Sequence, residues 1–203
     1  MPQYKIPYWA ENRSRQQLEE ILFDGIGQFP FQWNFSVGQI LNLACGFDGA
    51  ALRSRGAINM DLHANDINLG TLHPVQVLGD IRYLPFKDGI ADTVVLGEVL
   101  EHFNAEDVPA VLIEAARCLK PGGRIVATIP EDHRDSDVTN FFAPGVSVRH
   151  HLVMPWMICD WCEKAELDLQ VLSRLDYGYF TGHGLVATRT KDKMQPVKVR
   201  PQQ

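Results

Sequence analysis

The sequence predicts an α/β protein built on a doubly wound, mostly parallel sheet with an antiparallel closing strand. Three observations lead there. From residue 37 onward, short apolar runs alternate with helix-period segments and glycine-marked turns. The apolar runs lack in/out alternation, as strands buried on both faces do. The last two strand-like runs, Asp168–Leu175 and Gly184–Thr190, are separated only by a Gly- and Tyr-rich turn, which suggests an antiparallel edge.

Residues 1–36 differ in texture from the rest. They hold eight of the nineteen aromatics, among them Trp9, Phe31, Trp33 and Phe35. Leu18, Ile21 and Leu22 fit one face of a short helix that Gly25 and Gly27 would end. Aromatics this dense pack against something. The segment is expected to cover a sheet edge, to act as a lid on a site, or to serve as a homo-oligomer interface. Strands are then expected at Gln39–Ala44, Ala57–Asp61, Val75–Leu78, Thr93–Leu96 and Arg124–Ile129. Asp107 is placed to cap a helix in which Val108, Val111, Leu112, Ala115 and Leu119 recur at helical spacing, with Pro109 in its tolerated first turn. Lys120-Pro121-Gly122-Gly123 should stop that helix, and a second helix is expected over Pro155–Lys164. This organisation reads as an N-terminal segment 1–36, a domain 37–190 and a basic tail 191–203.

Composition bounds the function. The 203 residues suit one domain, and no run of about 18 apolar residues offers a membrane span. MPQYKIPYWAENRS lacks a basic start, an apolar run and a cleavage site, and four cysteines are too few for a disulfide scaffold, so a cytoplasmic location is expected. The net charge is −6. The last fifteen residues carry five basic residues against Asp192, a local +4, which leaves −10 for the remainder. Such an acidic body argues against nucleic acid as a partner. Cys159-x-x-Cys162 has redox or zinc spacing but no second pair, so core or partly buried thiols are expected.

The chemistry-bearing residues fall at expected strand ends. The first strand runs into Ala44-Cys45-Gly46-Phe47-Asp48-Gly49, small residues that let a ligand approach the backbone. This is not G-x-G-x-x-G, which disfavours a dinucleotide pyrophosphate. The second strand ends in Asp61, well placed to accept both hydroxyls of a ribose. The third ends in Gly79-Asp80-Ile81, and the fourth in Gly97-Glu98-Val99-Leu100-Glu101-His102.

The ordered set INMDL (58–62), GDIRYLPFKDG (79–89), GEVLEHF (97–103) and CLKPGGRIVATIP (118–130) resembles the class I S-adenosylmethionine-dependent methyltransferases. The resemblance covers roughly residues 38–190. It implies a seven-stranded sheet of the Rossmann-like methyltransferase type and S-adenosyl-L-methionine as cofactor. Ala44, Cys45 and Gly46 would line the methionine part, and Asp61 would hold the ribose hydroxyls. Leu62 would pack on the adenine, Asp80 would accept from the adenine amino group with the Ile81 backbone beside it, and Gly97 and Glu98 would floor the pocket near the sulfonium. Ala44 stands where the family usually has glycine, and Asp48 where many members have another.

Methyl transfer from a sulfonium needs in-line positioning, plus a base if the acceptor must lose a proton. Glu98, Glu101, His102, His133, His150 and His151 are the candidate bases, with Glu98, His102 and His133 taken as the catalytic set. No metal is expected. The alternative is a divalent-cation site of Glu98, Glu101, His102 and His150, which resembles that of small-RNA ribose 2′-O-methyltransferases. A non-catalytic binding or assembly module is a further alternative. The connection Glu131–Val153 has little periodicity and exceeds an ordinary loop, so it and residues 1–36 are the expected acceptor-binding parts. Asp132, His133, Arg134 and Asp135 offer polar contacts there, and Phe141 and Phe142 an apolar wall. The acceptor expected is a small molecule or saccharide, methylated at oxygen.

Overall fold

The computed structural model describes residues 28–45, 52, 56–62, 75–131, 136–139, 147–176 and 181–189. The expected helix around Leu18–Leu22, Gly46, Asp48, His133, Phe141, Phe142 and the basic tail lie outside the described residues.

A helix α1 (Gln28–Phe35) leads into β1 (Ile40–Leu43), β2 (Ile58–Asp61), β3 (Val77–Leu78) and β4 (Ala91–Gly97). A 3-10 turn (Leu100–His102), α2 (Val108–Cys118) and β5 (Leu119–Pro130) follow. The chain continues through β6 (Ser136–Thr139), β7 (Ser147–His150), α3 (Pro155–Lys164), β8 (Leu167–Asp176) and β9 (Thr181–Arg189). Seven strands form one sheet in the order β3-β2-β1-β4-β5-β9-β8, with β6 and β7 in a separate antiparallel ribbon. Pairing is parallel from β3 through to β5; β9 runs antiparallel to both β5 and β8.

Each face of the sheet has its own apolar layer. Leu41, Leu43, Val94, Leu96, Ile125, Ala127 and Ile129 join Val111, Leu112 and Ala115 of α2 and Ile158 and Trp161 of α3 in the larger one. Ile40, Val95, Val126 and Val186 meet Phe31 of α1 on the opposite face, with Trp33 and Phe35 packed alongside. Neighbouring strand residues point to opposite faces, so both faces need apolar side chains, and the unbroken apolar runs follow. The Phe31 ring lies flat enough on β9 that a Cβ on Gly184 would stand 2.8 Å from it.

The closing strand pair is antiparallel, as expected: β9 is buried between β5 and β8, and the half-exposed β8 forms the edge. Other sequence expectations need correction. The Lys120–Gly123 run does end α2, but it lies within β5: Leu119 pairs with Ala91, the chain bulges through Gly122 at φ +76°, and pairing resumes at Arg124–Thr93. The Glu131–Val153 connection contains the β6–β7 ribbon, pairing Ser136 with His150 and Thr139 with Ser147. Four-residue strands are too short for their alternation to stand out. Asp107 occupies the N-cap position without capping through its side chain, which instead accepts from Asn104 Nδ2 at 3.2 Å. Cys159 is exposed, whereas Cys162 is buried, and burial pushes its thiol up to about 11. Among the described residues no helix is long and apolar enough to cross a membrane.

Candidate functional site

The strand order reverses between β1 and β4, since β2 and β3 extend to one side and β5 to the other. In open α/β sheets the crevice outside the carboxyl ends of the strands at such a point is where ligands bind. Ala44 and Cys45 leave β1 there, Asp61 and Leu62 leave β2, Asp80 follows β3, and Gly97 and Glu98 leave β4. The sheet thus brings residues from four separate segments to one edge.

Backbone bonds lock these exits together. Cys45 N donates to Met60 O at 3.0 Å, Gly79 N to Asp61 O at 2.9 Å and Glu98 N to Thr128 O at 2.9 Å. Ala44 and Glu98 both adopt the left-handed conformation, at φ +50° and +49°. Such backbone costs a non-glycine residue roughly 1–2 kcal/mol, and strain of this kind clusters at ligand-binding sites. Ala44 therefore takes up the glycine-like conformation that the tight turn requires.

The other predicted residues divide. Leu62 is 59% exposed and Leu78 61% exposed, so apolar surface stays open beside Asp61. The Ile81 side chain is buried in the larger core. Asp80 receives Arg82 Nε at 3.0 Å as well as the Arg82 amide, and the Arg82 guanidinium holds its carboxyl below the usual range. An adenine amino group would have to share that carboxylate with Arg82.

A second cluster lies just beyond Glu98. Glu101 is 1% exposed on the 3-10 turn, and its backbone carbonyl accepts from His151 N at 2.8 Å. The His102 Nδ1 stands 3.2 Å from Arg149 O and its Nε2 3.8 Å from Glu101 Oε1. The rings of His102 and His150 are 4.7 Å apart. Burial pushes the His102 pKa down, with the nearby His150 acting the same way and a contact with the Arg149 backbone opposing it. Glu98 is not part of this group.

Two polar residues at the same edge escaped the sequence reading. Gln32 of α1 is 1% exposed, and its Nε2 donates to Thr128 Oγ1 at 3.0 Å, on the strand beside Gly97. His183 is buried on β9, and its Nε2 has no hydrogen-bond partner among the described residues. Neither carries a local signal, because each matters only through strands distant in sequence.

Residues 41–127 match the methyltransferase domain family. The chain is similar over that span to the class I S-adenosylmethionine-dependent methyltransferases. It is 34% identical over 100 residues to a ubiquinone/menaquinone biosynthesis C-methyltransferase of Desulfotalea psychrophila, covering 44% of this chain and 40% of that protein. The chain spans between 21% and 40% of the length of the curated relatives it matches. The chain is similar in structure to a SAM-dependent methyltransferase of Methanosarcina mazei at a TM-score of 0.61, with 13% identity, 81% of this chain and 99% of that one covered. A Burkholderia thailandensis 1,6-didemethyltoxoflavin N1-methyltransferase, crystallised with its substrate and S-adenosylhomocysteine, gives 0.58 at 13% identity over 79% of this chain and 75% of that one. These structural likenesses show the class I methyltransferase fold.

Proposed function

We propose that this chain transfers the methyl group of S-adenosylmethionine to a small-molecule acceptor by direct displacement. The observation that carries the reading is the convergence of Ala44, Cys45, Asp61, Asp80, Gly97 and Glu98 on the carboxyl edge of the sheet at its switch point. Ala44, Cys45 and Gly46 would line the methionine part, Asp61 would accept from the ribose hydroxyls, and Leu62 would pack on the adenine. Asp80 and the Ile81 backbone would reach the adenine edge, with Gly97 and Glu98 flooring the sulfonium. The domain assignment, with 37–190 as the transferase unit, belongs to this reading.

The cofactor supplies an activated methyl group. The acceptor atom forms the new bond to carbon as the carbon–sulfur bond breaks, and S-adenosylhomocysteine leaves. A hydroxyl acceptor must also lose a proton. His102 is held neutral by burial within the site, so it can receive that proton. Glu98 and His133 are the other candidate bases. This favours oxygen as the methylated atom. Methylation at carbon, as the name of the Desulfotalea relative states for that protein, is the second reading.

Calorimetric titration of S-adenosylhomocysteine tests the cofactor site. Single-site micromolar binding is expected. Asp61→Ala should weaken it by about 1–3 kcal/mol through lost hydrogen bonds. Absence of binding would overturn the reading, and an unchanged affinity in the variant would remove Asp61 from it. Incubation with labelled cofactor and hydroxylated small molecules then separates oxygen from carbon as the acceptor.

A further inference from the structure

We infer that Glu101, His102 and His150 form a binding site for one divalent transition-metal ion of the zinc and cobalt class. One ligand atom from each residue lies within 4.8 Å of the other two. The three come from two segments, the 3-10 turn after β4 and the end of β7, which the His151–Glu101 backbone bond draws together.

The hydrogen bonding around His102 sets the ring up as a ligand. Arg149 O is a carbonyl and can only accept, so this contact places a proton on His102 Nδ1, and the Glu98 backbone makes a second contact with the same ring that an ion at Nε2 would have to displace or share. The Nε2 lone pair is then directed away from that anchor, on the side where Glu101 Oε1 lies 3.8 Å away. A backbone carbonyl gripping the far nitrogen is the usual outer shell of a metal-bound histidine. The His102 and His150 rings are tilted by 59° rather than stacked, so both can turn a nitrogen toward a common point.

The spacing is near what an ion needs. Metal–ligand distances of about 2.0–2.1 Å place tetrahedral donors roughly 3.3 Å apart. Contraction by up to about 1.5 Å among side chains would close the site. Two imidazoles and one carboxylate suit borderline ions, whereas magnesium and calcium prefer oxygen donors. The Glu101 carboxylate supplies negative charge in a dry setting, while His102, 29% exposed, leaves one side of the site open. A bound ion would fasten the β6–β7 ribbon to the turn that follows Glu98. That it also receives an acceptor oxygen there, and by acidifying that hydroxyl takes over the part otherwise given to His102 as base, rests on the methyl-transfer reading.

The test is a calorimetric titration of Zn²⁺ into the chelator-stripped full chain, with Co²⁺ absorption as a second readout. One site of micromolar affinity or tighter is expected. His102→Ala and His150→Ala should each weaken it at least about tenfold. Circular dichroism in chelator shows that both variants are folded, and their melting temperatures should lose the rise that Zn²⁺ gives the parent. Cys159→Ser should change nothing. Absence of one-site binding, indifference to both histidine variants, loss in Cys159→Ser, or Mg²⁺ binding as tightly as Zn²⁺ would each overturn the site. Parallel titration with S-adenosylhomocysteine separates the two readings. Zn²⁺ binding without it removes the methyl-transfer reading and leaves the ion site, and the reverse result removes the ion site alone.

Discussion

Ala44 and Glu98 end neighbouring central strands, and each sits where an L-residue is strained. At Ala44 the strain comes from the methyl group alone. Ala44→Gly is therefore expected to stabilise the protein by about 1 kcal/mol in urea unfolding while retaining S-adenosylhomocysteine binding. Loss of stability would show that the turn is comfortable as it stands. The cysteines offer a second residue-scale contrast. Burial pushes the Cys118 and Cys162 thiols up to about 11, and Cys45 is also buried, whereas Cys159 is exposed. Iodoacetamide at pH 8 should add one label to the native protein, at Cys159, and four after denaturation, because the thiolate is the reacting form. Labelling of Cys162 at the same rate would contradict its placement against the core.

Helix α2 secures the loop that carries the LPF sequence onto the sheet. Arg117 Nη1 donates to Phe86 O at 2.8 Å and Nη2 to Leu84 O at 3.0 Å, while Glu114 pairs with Arg117 and accepts from Leu84 N. The Glu114 hydrogen bond foremost, and Asp88 with it, raise the guanidinium pKa despite partial burial. Arg117→Ala should cost about 1.5–3 kcal/mol in urea unfolding, the scale for hydrogen bonds to a charged group. Helix α1 is held differently, by shape. Gly184→Ala should drive a methyl into the Phe31 ring and cost about 1–3 kcal/mol. Restoration by a smaller residue at position 31 in a double-mutant cycle would confirm the contact.

Across the molecule the shifted histidines and carboxylates act in one direction below neutral pH. Burial lowers the pKa of His183 and of His102, so the native state resists protonation that the unfolded chain accepts. The Thr181 hydroxyl, followed by Arg174, holds the Glu131 carboxyl down, and Lys120 does so for Asp92. In every case the unfolded state binds more protons, so stability rises with pH. The histidine part should start to be lost as pH falls below about 6.5, and the carboxylate part below about 4. Urea unfolding of a His102→Gln/His183→Gln double variant should show a flatter profile between pH 7 and 5, with the lower-pH loss intact. An unchanged slope in that window would remove both histidines from the account.

Chain-local chemistry was enough to place much of this protein. Short unbroken apolar runs bounded by turn residues fit strands covered on both faces, and the bounds of Pro155–Lys164 follow from helical period and an N-terminal proline. The acids and small residues at strand ends were legible because a parallel sheet delivers every carboxyl end to one edge. What needed the folded chain were relations between distant segments. The insertion of β9 between β5 and β8 depends on pairing energies that no single strand contains. The partnership of Gln32 with Thr128 spans 96 positions, and that of His102 with Arg149 spans 47. The β6–β7 ribbon places His150 against His102, and its four-residue strands hold too little pattern to be read alone. Hydrophobic period is a property of neighbours in the chain, whereas a site is a property of neighbours in space.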